Sequence, residues 1–346
     1  MEENKKYLFD QFIIVIFLAL FLAILGSIIG SPIQSFGYSI GGDWMGVLAY
    51  LGTIGEWAVC LLFMFLFKPD RKLIAALGHG GGNTLKMFLI GIAAGFVMNG
   101  SCILVSVLRK DISLYYDPSP LICLLAGVVS VLIQASSEEL LCRHIMQRHL
   151  RRRYGKAWLE ILLPSALFSA LHLMNPGAGV ISTLSIFVSG VLFGAIICYY
   201  DSFWLVCGLH AMWNITQNLL FGLPNSGIVM PLTVFRLDAA AAQDSFSYNV
   251  AFGVEGSLMS LLVLLLGAVI VIFLGERKKR RASSCPSEHS LISCAATETA
   301  ISAGVCDPIG IPIGAMMRAR SSSVNPSPFS RSLTPAIFVR LPITPM

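Results

Sequence analysis

Apolar residues along this chain come in long runs, not in the every-other-residue alternation of strands. A membrane-crossing helix needs roughly 20 mostly apolar residues, because each adds about 1.5 Å across about 30 Å of hydrocarbon. Eight runs qualify, at roughly 9–31, 44–67, 85–108, 119–141, 158–174, 180–199, 203–222 and 254–275. The pattern predicts an all-α, polytopic membrane helix bundle of about eight transmembrane helices. The first run exceeds the 7–15 residues of a signal-peptide core and no A-x-A site follows it, so it reads as a retained span. The chain divides into N-terminal spans (1–118), core spans (119–222), an outer loop with the last span (223–281) and a tail (282–346).

Composition sharpens this picture. Hydrophobic residues make up 55% of the 346 and charged residues only 12%, against about 25% charged in a soluble domain. A cytosolic globular protein, a disordered chain and a nucleic-acid-binding basic domain are thereby set aside. The net charge is a modest +5; its distribution says more. With the N-terminus inside, the inner segments hold 17 Lys and Arg: Lys5 and Lys6, then 68–86, 143–156 and 277–281. The outer ones hold three, Arg109, Lys110 and Arg236. By the positive-inside rule both termini are expected in the cytoplasm, in a multi-pass protein of the plasma membrane.

Nine cysteines fall mostly in apolar runs and none forms a CxxC pair, so small buried hydrophobes are expected, without a disulfide framework or zinc finger. The run GHGGG at 78–82 lacks the Lys-Ser/Thr of a phosphate-binding loop and follows no strand, so it reads as a plain loop. Beyond 282 the sequence turns rich in Ser, Pro and Ala and reads as a mobile cytoplasmic tail; it carries no CaaX box.

Charge inside a span costs about 2.5–3.5 kcal/mol on insertion scales, which makes such residues functional candidates. The fourth run ends in Glu138, Glu139 and Arg143, the fifth carries Phe168 and His172, and the seventh carries His210 and Asn214. Each has a structural alternative. Glu139 and Arg143 have the favourable i,i+4 order of an ion pair, and a His or Asn in a span often bonds neighbouring helices. Spacing brings two pieces together. Spans four and five form a hairpin through RRRYGK with its break at Gly155; Glu138 precedes it by 17 residues and His172 follows by 17. Both then lie about 25 Å from the turn, provided helix four continues past its apolar run and its basic end protrudes.

Two carboxylates, two imidazoles and an amide around one intramembrane chamber suit water activation. A carboxylate in low dielectric can act as general base, one His can orient the water, and a second His with an Asn can stabilise an oxyanion. Glu138, His172 and His210 could alternatively bind Zn²⁺, although HExxH is absent. Cys142 has no His placed to activate it and is not expected to be a nucleophile.

EE-xxx-R at 138–143, F-xxx-H at 168–172 and H-xxx-N at 210–214 resemble the three motifs of the CPBP family, the CAAX-processing and bacteriocin-processing (Abi) membrane endopeptidases. The resemblance covers about 119–222. It implies that Glu138 activates water with His172, that Glu139 is a second essential carboxylate held by Arg143, and that His210 and Asn214 stabilise the oxyanion. Phe168 and Arg143 would be structural supports. It further implies a peptide or protein substrate at the bilayer, no nucleic acid and no required cofactor, with zinc as the alternative. A non-catalytic immunity or scaffold protein is the rival from another class. His144 and Cys142 depart from the family pattern and bear on the channel's shape.

Overall fold

A computed structural model describes residues 7–284. The expected tail beyond that point lies outside the described residues. Helices run in the order α1 (Phe12–Ile40), α2 (Gly42–Leu51), α3 (Ile54–Leu66), α4 (Arg71–Ala75) and α5 (Leu85–Leu108). After a short strand β1 (Leu114–Tyr116) come α6 (Leu121–Glu139) and α7 (Gln147–Tyr154), joined by the π-helical turn Leu140–Met146. Then follow α8 (Ala157–Leu171), α9 (Val180–Tyr200), α10 (Phe203–Asn214), β2 (Phe235–Leu237) and α11 (Leu258–Ser284). The all-α polytopic bundle expected from hydropathy is what forms.

Among the described residues seven helices are long and apolar enough to cross a membrane. The remaining predicted run, 203–222, is the 12-residue α10 extended by a six-residue π-helical turn, Ile215–Leu220. It still carries the chain from one end of the bundle to the other. Asp201, just before α10, pairs with Arg148 at the α7 end, whereas β2, after it, pairs antiparallel with β1 just ahead of α6. This ribbon had no counterpart in the sequence reading, because three-residue strands leave no periodicity.

The predicted extension of helix four is observed: α6, the π-turn and α7 make one helix of 34 residues, Leu121–Tyr154. It ends where expected, at Gly155, whose φ of +60° closes the turn in the left-handed region. The GHGGG stretch is a loop between α4 and α5. Gly82 there is required by contact, since a Cβ would meet the Tyr200 carbonyl oxygen at 2.3 Å.

Lipid as solvent turns the usual burial pattern outward. Phe17, Phe21, Ile24 and Ile28 of α1 and Leu262, Leu266 and Phe273 of α11 are exposed. Packing comes from specific helix pairs: α5 with α10, α8 with α9, α1 with α3, and α6 with α2 and α10. The central apolar cluster draws Leu22 from α1, Met64 from α3, Ile145 and Leu150 from the long helix, Ile196 from α9 and Val206 and Trp213 from α10. Its members fix the helices that frame a central cavity.

Candidate active site

All five predicted catalytic positions lie around one constellation, and four of them, Glu138, His172, His210 and Asn214, line a cavity of about 420 Å³. The fifth, Glu139, stands behind the wall. It is fully buried and accepts hydrogen bonds from Arg143 Nη1 (3.2 Å) and from His210 Nδ1 (2.9 Å) on α10.

The helix geometry explains this division. Consecutive residues on a helix point about 100° apart, so Glu138 faces the cavity while Glu139 turns toward α10 and Arg143 one turn on. Arg143 is itself fully buried and lies over the rings of Phe168 (4.4 Å) and Phe193 (5.2 Å). A buried guanidinium needs such company: the carboxylate offsets its charge and the ring faces cover it.

The two imidazoles are oriented in the same manner from different helices. His172, at the end of α8, bonds through Nδ1 to the Phe168 carbonyl at 2.7 Å. A carbonyl only accepts, so Nδ1 carries the proton and, in the neutral ring, Nε2 keeps its lone pair. His210 donates from Nδ1 to Glu139, which leaves its Nε2 3.7 Å from Glu138 Oε2. Phe168 therefore serves three neighbours: its ring lies under Arg143, its ring packs on His172 at 4.6 Å, and its carbonyl holds that histidine.

Several groups here escaped the sequence reading. Gln134, one turn before Glu138, donates to Glu138 Oε1 at 2.6 Å and accepts from Asn214 Nδ2 at 3.1 Å. Asn225, in the loop after α10, donates to Asn214 Oδ1 at 3.0 Å. Glu255, just before α11, accepts from Trp213 Nε1 (2.8 Å), Ser226 N (2.6 Å) and Ser226 Oγ (2.7 Å). Glu56 of α3 also lines the cavity. Gln134 and Glu56 interrupt apolar runs, a signal that could have found them; Asn225 and Glu255 lie in loop sequence, where polarity is the rule and carries no signal.

Among the described residues no group of three or more His, Cys, Asp and Glu is arranged to hold a metal ion. The alternative zinc set Glu138, His172 and His210 is thus not gathered as ligands. Both departures from the family pattern are packing residues: Cys142 lines the cavity, and His144 is buried with Nε2 2.8 Å from the Leu73 carbonyl.

With this geometry in place, comparison with known proteins identifies the segment. Residues 120–216 match the Rce1-like family of type II CAAX prenyl endopeptidases. The resemblance drawn from the three motifs is borne out over that stretch. The Rce1-like segment runs from the first residues of α6 to just past Asn214, and so contains every motif side chain. No match was found among curated proteins or among solved structures.

Proposed function

We propose that this chain is an intramembrane endopeptidase in which Glu138 activates the attacking water. The observation that carries the reading is the orientation of the polar groups around the cavity. Both histidines are tied at Nδ1, to the Phe168 carbonyl and to Glu139, while Glu138 lines the same chamber held by Gln134. Such preorganised groups are what a water-mediated hydrolysis needs.

In this reaction a water lying between Glu138 and His172 gives its proton to Glu138 as its oxygen bonds to the substrate carbonyl carbon. The oxyanion is met by donors from α10: the Nε2–H of His210 in its doubly protonated form, and the second N–H of Asn214, the first being bonded to Gln134. As the tetrahedral species collapses, the C–N bond breaks and the proton on Glu138 passes to the leaving amine. Glu139 stays ionised behind the wall, compensated by Arg143 and His210. The substrate is a peptide segment at the membrane, of the CAAX type or a peptide precursor, and no step uses a bound metal.

The test is cleavage of a membrane-peptide library by purified protein in detergent. Glu138→Gln, nearly isosteric, is expected to leave folding intact and to lower turnover about 10²–10⁴-fold. Activity is expected to survive prolonged chelation. A well-folded Glu138→Gln protein with full activity would sink the assignment, and activity lost to chelator and restored by zinc would transfer it to a metal mechanism.

A further inference from the structure

The wall of the cavity formed by α8 and α9 contains one hydroxyl that nothing among the described residues satisfies. Ser185, in the second turn of α9, is fully buried and is among the residues lining the cavity, and its Oγ has no hydrogen-bond partner among the described residues. The other Ser and Thr side chains of these two helices all donate to backbone carbonyls. Ser165 bonds the Ile161 carbonyl at 2.6 Å, Ser169 that of Thr183 at 2.8 Å, Ser182 and Thr183 that of Gly179, and Ser189 that of Ile186 at 2.7 Å. Bonding back to the preceding turn is the usual resort of a helical serine. Ser185 forgoes it.

A buried polar group left unpaired is costly, and most in native proteins find a partner. Position says what that partner is. The Ser169–Thr183 bond and the close fit of Gly190 on Ser165 set the register of α8 on α9, which puts Ser185 alongside Phe168. Phe168 is the residue whose carbonyl holds His172. Ser185 thus lines the same chamber as the histidine.

We propose that Ser185 is a substrate-positioning residue: its hydroxyl donates to a backbone carbonyl of the bound peptide and holds the chain in line with Glu138 and His172. The inference rests on the endopeptidase reading for the identity of the ligand. A hydrogen bond to backbone makes no demand on side chains, so this contact selects for an extended peptide and not for one residue type.

The experiment uses the full chain carrying Glu138→Gln, so that binding is read without cleavage. The probe is a fluorescein-labelled form of the library peptide that binds it best. Ser185→Ala is expected to weaken the measured Kd about three- to tenfold. Because the hydroxyl bonds nothing among the described residues, the melting temperature should stay level or rise. Ser185→Cys, close in size but a weak donor, should fall between. Replacing peptide carbonyls one at a time by methylene should reveal one position whose loss costs the wild type its advantage and costs Ser185→Ala nothing. Unchanged Kd in both variants, or weaker binding accompanied by a lower melting temperature and by equal sensitivity at every carbonyl, overturns the proposal. If the native protein binds the peptide without cutting it, the endopeptidase reading fails while the Ser185 comparison still stands. If no library peptide binds, both fall.

Discussion

Gln134 shows how much a single amide can determine. Its two ends are committed in opposite directions, Nε2 to Glu138 and Oε1 to Asn214, so it couples the α6 carboxylate to the α10 amide. Asn225 completes the chain by fixing Asn214 Oδ1, which forces the Asn214 N–H groups toward Gln134 and the chamber. Gln134→Leu removes a donor from a carboxylate and an acceptor from an amide while keeping volume. Hydrogen bonds to charged groups are worth about 1.5–3 kcal/mol, so turnover should fall roughly tenfold to a hundredfold. Steady-state kinetics should place that loss in kcat more than in KM, since Glu138 rather than substrate contact is disturbed. A change confined to KM would show that Gln134 touches substrate instead. At this scale the sequence is legible where a residue contradicts its surroundings. Glu138, Glu139, His172, His210 and Asn214 interrupt apolar runs and reveal themselves by cost. Gln134 does too, but a lone amide fits helix bonding equally well. Glu255 and Asn225 are hidden for the opposite reason, because loop polarity is expected and their burial depends on the fold.

The loops between helices are the elements that hydropathy describes least, and one of them is held by electrostatics. Asp111, at the exit of α5, accepts from Arg109 Nε at 3.1 Å and from the hydroxyls of Ser245 and Ser247 at 2.6 Å each. It thereby fastens the segment 243–248, whose Tyr248 and neighbours pack on Cys102, Ile103 and Leu223. Burial pushes the Asp111 carboxyl up. The bonds from Ser245, Ser247 and Arg109, with the Arg109 charge, outweigh it and leave the group below its ordinary value of 3.8. A lowered value in the folded state contributes stability that is fully present above the ordinary value. It is lost as pH falls through and below it, because the unfolded chain takes up its proton first. Hydrogen exchange of 243–248, corrected for intrinsic rates, should accelerate below about pH 4. Asp111→Asn should exchange faster at neutral pH and lose that acid dependence. An unaltered acid dependence in Asp111→Asn would assign it to another carboxylate. Span starts, by contrast, were readable to within a few residues, whereas α1 and α11 run nine residues past the ends of their apolar runs. What hydropathy missed was continuity: the long helix runs 34 residues through a basic end, and only the hairpin spacing about Gly155 pointed to it.

Across the whole molecule the basic segments collect at one end of the bundle. Arg152 binds Asp10 and Asp70 together, and His149 contacts the same two carboxylates, which joins the N-terminal turn and the α3–α4 corner to α7. Arg148 and Arg151 reach Asp201 at the α9–α10 corner, where Tyr199 bonds Glu276 and Lys278 lies over Tyr200. Arg109 and Arg236 pair instead with Asp111 and Asp117 around the β1–β2 ribbon at the other end. A 34-residue helix is about 51 Å long against about 30 Å of hydrocarbon, so one end must project, and the arginine-rich α7 is the end that water suits. By the positive-inside rule this end is expected in the cytoplasm. Lys156, exposed beside Gly155 at the tip of the hairpin, offers a clean reporter. Six of the nine native cysteines are buried or half-buried and three lie outside the described residues, so the reporter is placed in a background with all nine replaced. Lys156→Cys should be labelled in inside-out vesicles and not in intact cells. Labelling of intact cells would invert the bundle and overturn the expected orientation.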